Sequence, residues 1–129
     1  MIPAPMPITW TVDPTARFVV MSVSDPYTIE EWRTVMLAIL EAPISRPRLA
    51  VLVDRRHSTP ATTSFVNQMS AFFEEHQRAL LNSLRAILVS DDAGFGMARM
   101  TALRNPDATI QTFRNYEQAV AWLILKLES

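Results

Sequence analysis

The chain has 129 residues, 49% of them hydrophobic, with 12 basic and 13 acidic side chains and a net charge of −1. That length suits one domain whose core closes without a disulfide or metal, and the lack of cysteine excludes a disulfide framework, a thiol nucleophile and a thiolate metal site. The near-neutral balance without a basic run argues against a nucleic-acid surface, and no apolar run approaches the roughly 20 residues of a membrane span.

Residues 1–7 carry three prolines and read as a flexible arm ahead of a single domain over 8–129. The opening MIPAPMPI has no basic start and too much proline for a secretory signal, so the reading is cytoplasmic. ITWTV (8–12) alternates and is rich in β-formers. Asp13-Pro14-Thr15 reads as a turn and ARFVVMSV (16–23) as a second strand, which predicts an antiparallel hairpin. Asp25-Pro26 ends it. Thr28 and Glu31 fit a capping box, and Ile29, Trp32, Met36, Ile39 and Leu40 follow at helical spacing as far as Pro43.

After PISRP comes LAVLV (49–53), a short apolar run of the kind buried on both faces of a parallel sheet. Asp54-Arg55-Arg56-His57 is expected at its carboxyl end, followed by a hydroxyl-rich loop over 58–64. A long amphipathic helix follows, with Phe65, Met69, Phe72, Phe73, His76 and Leu80 along one side. RAILVS (85–90) reads as another buried strand, closed by DDAGFG (91–96), and MARMTALR (97–104) as a short helix. Asn105-Pro106-Asp107 reads as a turn and TIQTF (109–113) as the last strand. Asn115 caps a final helix with Tyr116, Ala119, Val120, Leu123 and Leu127 on one face.

Strands alternating with helices predict an α/β domain with a mixed, mostly parallel sheet of about five strands flanked by about four helices. This order, with VLVDRR, FVNQMSAFFEEH, DDAGFGMARM and TFRNYEQAVAWL, resembles small bacterial STAS-like proteins of the SpoIIAA-like, anti-sigma-factor-antagonist type. The resemblance covers about residues 8–127. It implies that fold and a regulatory role. In the phospho-switch members a strand-end aspartate is followed by Asp-Ser-Ser/Thr-Gly opening the next helix. Asp54 matches the first aspartate, and the motif falls on Thr62, Thr63, Ser64 and Phe65. The resemblance therefore places a phospho-acceptor at Thr63 or Ser64, with Thr62 and Phe65 departing from the pattern. A helix N-terminus favours negative charge there.

Gly94 and Gly96 are the chain's only glycines. A dinucleotide loop needs a third glycine where Arg99 stands, and belongs after the first strand of a βαβ unit. The pair reads instead as a tight strand-to-helix turn requiring φ > 0. Asp54, Asp91 and Asp92 are expected at one sheet edge, where open α/β folds bind ligands. Three carboxylates there could hold Mg²⁺, although the receiver-type arrangement also needs a lysine and Lys126, the only one, lies in the last helix. Arg55, Arg56 and His57, with Arg99, offer either an anion site at that edge or ion pairs with those aspartates. His76 reads as a boundary histidine packed by its ring. Met36, Met69, Met97 and Met100, with Phe72, Phe73 and Phe95, read either as a Met-filled core or as a flexible apolar pocket.

No catalytic set, cofactor or metal site stands out. The expectation is a non-enzymatic binding or regulatory module, working as a homodimer or with a protein partner. The alternatives are a carrier of an apolar or lipid-like ligand and an Mg²⁺-dependent enzyme built on the acidic edge.

Overall fold

The computed structural model describes residues 6–15, 17–103 and 108–128. Most of the proline-rich arm and the Asn105–Asp107 turn lie outside them. The described part of the arm is tied down at Pro7, whose carbonyl accepts from Ser24 N at 2.8 Å and from Ser24 Oγ at 3.1 Å.

Five strands form one sheet: β1 (Ile8–Val12), β2 (Val19–Ser24), β3 (Ala50–His57), β4 (Leu84–Leu88) and β5 (Thr109–Phe113), side by side in chain order. β1 pairs antiparallel with β2, as the hairpin signal predicts, and the remaining pairs are parallel. The helices are α1 (Ile29–Glu41), α2 (Thr63–Glu75), the short α3 (Gln77–Leu80), α4 (Asp92–Leu103) and α5 (Tyr116–Leu127). The expected count of about four helices omits α3, which follows α2 directly after His76. No helix among the described residues is long and apolar enough to cross a membrane.

Sequential strand order with right-handed crossovers requires α1, α2 and α4 to share one face. Trp32, Met36 and Ile39 of α1 and Val66, Met69, Phe72 and Phe73 of α2 accordingly pack with Met21 and Val51 on the front of the sheet, where α4 adds Met97 and Met100. The back is covered by α5, through Ala119 and Leu123 against Ala50, Leu52, Leu84, Ala86 and Leu88. All five residues of β4 are buried, so it is the strand enclosed on both faces and both edges.

The capping signals hold. Thr28 Oγ1 accepts from Glu31 N at 3.1 Å while Glu31 Oε1 accepts from Thr28 N at 2.9 Å. Asn115 Oδ1 accepts from Gln118 N at 3.0 Å. Two expectations change. β3 runs three residues beyond Asp54, because pairing with β2 continues through a bulge in which Ser22 faces Asp54 and Ser24 faces His57. Gly94 and Gly96 are not in a positive-φ turn; neither has φ > 0, and both lie in the first turns of α4.

Candidate functional site

The front of the sheet and its helices do not close completely. Between them lies a cavity of about 70 Å³, several times the roughly 10–15 Å³ that one water needs. The sheet supplies Met21, Val51, Val53, Arg85 and Ile87, with Val89 just past β4, and the helices supply Trp32, Met36, Met69, Phe73, Met97 and Ala98. Thr59, Ser90 and Asp91, the exposed members of the lining, mark a rim at the carboxyl ends of β3 and β4. The Asp25 carboxylate accepts from Thr59 N at 2.5 Å and fixes the rim loop to the end of β2.

The walls follow from strand periodicity. In β4, Leu84, Ala86 and Leu88 face α5, which leaves Arg85, Ile87 and then Val89 on the cavity side. Arg85, opposite Val51 on β3 and Ile110 on β5, is 5% exposed. Its Cζ lies 4.0 Å from the centroid of the Phe73 ring. Nε donates to Ser83 Oγ at 3.3 Å. Nη1 is buried and finds no acceptor among the described residues. Desolvation lowers its pKa to about 10, so it stays cationic at neutral pH. An unsatisfied buried charged donor costs upward of about 1–3 kcal/mol, which makes Arg85 the most costly side chain in the cavity.

The expected site residues divide. Arg55 and Asp91 reach the cavity rim. Arg55 donates through Nη2 to Tyr27 Oη and lies 5.5 Å from the centre of that ring. Asp91 Oδ1 accepts from Gly94 N at 2.7 Å and caps α4. Asp54 and Arg56 face the other side, beside α5: Arg56 Nε and Nη2 donate to the two Asp54 oxygens at 3.0 and 2.9 Å, and Arg56 stacks on Tyr116. Burial alone would raise the Asp54 carboxyl; the hydrogen bonds from Arg56, with the Arg56 and His57 charges, outweigh it and hold the pKa below the usual carboxylate value. Asp92 pairs with Arg114, and Arg99 is exposed on α4.

The three aspartates are therefore not gathered. Strand alternation puts Asp54 on the α5 face while Asp91 caps α4 and Asp92 pairs with Arg114, and no group of three potential ligands for a metal occurs among the described residues. Thr62 caps α2 by accepting from Phe65 N at 3.1 Å, which leaves Thr63 and Ser64 exposed in the first turn.

Met36, Met69, Met97 and Phe73 do line a cavity, while Phe72 is fully buried in the core and Phe95 sits outside under Arg114. His76 packs its ring against Phe72 at 4.3 Å, the boundary position expected of it. Arg85 is the residue that sequence reading passes over. Its signal is a charge inside an apolar run, Leu84 to Val89, which becomes visible once the strand starts at Leu84 instead of Arg85.

No family model and no curated protein matches the sequence. Among solved structures, the chain is similar to the crystal structure of an uncharacterised DUF3478-family protein with a SpoIIAA-like fold from Shewanella loihica PV-4. The two are 16% identical with a TM-score of 0.69, and the match covers 95% of this chain and 98% of the other. At that identity the likeness speaks to the fold, and it agrees with the element order and with the mostly parallel five-stranded sheet. The chain is an α/β protein with a SpoIIAA-like fold.

Proposed function

We propose that residues 8–129 act as a non-enzymatic binding module that holds a small apolar molecule between the sheet and helices α1, α2 and α4. The observation that carries this reading is the cavity of about 70 Å³ walled by methionine, phenylalanine, tryptophan and aliphatic side chains. Methionine walls adapt to a ligand's shape at little cost, because the thioether chain is unbranched and polarisable. The interior offers little to acid–base chemistry. Its buried ionised group is Arg85, which at a pKa of about 10 neither gives nor takes a proton near neutrality. Neither histidine lines the cavity.

Four of the chain's seven methionines line it, and their methyl groups report on it separately. In protein labelled with ¹³C at the methionine methyls, titration with indole, a small neutral apolar probe, should shift Met21, Met36, Met69 and Met97. Met6, which is 66% exposed, should stay still. Saturable shifts at the four cavity methyls support the pocket. Absent shifts, or shifts centred on Met6, overturn it.

A further inference from the structure

The cavity is apolar, yet a cation stands inside it. Arg85 is buried on β4, and no carboxylate among the described residues pairs with it. Packing does not require this charge; an uncharged side chain of similar length would fill the same space without the cost of desolvation. The mode of burial is informative. Phe73 takes one face of the guanidinium at 4.0 Å. Stacking uses the π-face and leaves the in-plane N–H donors free. Ser83 takes Nε, but Nη1 finds no acceptor among the described residues. The group is thus held firmly in orientation and left incomplete in hydrogen bonding.

Resting on the pocket reading above, we infer that Arg85 is the anchor for the acidic head of the ligand, and that the cavity takes an apolar carboxylic acid bound head-inward. A carboxylate is planar, accepts in-plane hydrogen bonds and neutralises a guanidinium. It supplies the missing acceptor and counter-charge together. The body of the acid then runs along Met36, Met69 and Met97 toward the rim. Asp91 at the rim favours this direction, because an acid seated head-outward would bring its charge to another carboxylate. Arg55, also at the rim, is the competing anchor, but Tyr27 already engages it.

Three probes with one skeleton test the inference: 3-phenylpropanoate, 3-phenylpropan-1-ol and 3-phenylpropylamine, each titrated at pH 7 by calorimetry and followed at the methionine methyls. The acid should bind roughly ten- to a hundredfold more tightly than the alcohol, the range of a hydrogen bond to a charged group, and the amine should be the weakest. Arg85→Met should erase the difference between acid and alcohol, while Arg55→Met should keep it. Equal binding of acid and alcohol at the cavity methyls would overturn the acid anchor and leave the pocket standing. So would an acid preference that survives Arg85→Met and disappears in Arg55→Met. If none of the three binds, the pocket reading falls with it. The preference in the unmutated protein is itself a test, so the result does not hang on how a variant folds.

Discussion

Arg85 and Asp54 show two ways of burying a charge. Asp54 is matched: two oxygens meet two guanidinium nitrogens of Arg56, and the backbone N of Arg56 adds a third bond at 3.1 Å. Arg85 has a ring, a weak hydroxyl contact and an Nη1 with no acceptor among the described residues. Desolvation pushes the Arg85 guanidinium down to about 10, which corresponds to a cost on the order of 3 kcal/mol. Arg85→Met removes that cost and keeps a flexible chain in place. The ligand-free variant should therefore melt several degrees higher than the parent, measured by calorimetry at pH 7. A lower melting temperature would mean that the cation–π stack on Phe73 outweighs desolvation.

Among the elements, α4 shows what composition alone leaves ambiguous. Its two glycines look alike in sequence and differ in surroundings. A Cβ on Gly94 would stand 3.1 Å from Asp91 Oδ1 and 3.2 Å from Val89 Cβ, whereas one on Gly96 would meet nothing within 4 Å. Val89 is buried and its N–H is bonded to Phe113 O, so it has little room to yield. Gly94→Ala should cost on the order of 1 kcal/mol through crowding. Gly96→Ala should gain up to about 1 kcal/mol, because alanine loses less backbone freedom in a helix interior. Urea melts of both variants check the opposite signs. The capped helices and the β-branched strands were legible because caps and periodicity are local properties. The cavity was not, because it depends on a register: moving the start of β4 from Arg85 to Leu84 takes a charge from a solvent end to the interior. The acidic edge failed for a similar reason: alternation from Ala50 and Leu52 puts Asp54 on the α5 face, away from Asp91 at the cavity rim.

At the scale of the whole molecule, the matched carboxylate sets part of the acid limb of stability. The folded pKa of Asp54 lies below its unfolded value of 3.8. Its contribution is therefore full above that value and is lost as pH falls through the lower, folded one. Melting temperature should drop along that limb, and Asp54→Asn, less stable at neutral pH by about 1 kcal/mol given a partner that is 37% exposed, should drop less steeply. Parallel limbs in the two proteins would show that other carboxylates carry the acid response. The sheet's plain order also bears on how the molecule is made. Strands that lie in space in the order they lie in the chain can be added one at a time as they leave the ribosome, each docking on the edge exposed by the last. No arriving strand has to wedge between two that are already joined. The sheet wall of the cavity, from Met21 on β2 to Arg85 on β4, is thus laid down before α4, β5 and α5 have been synthesised.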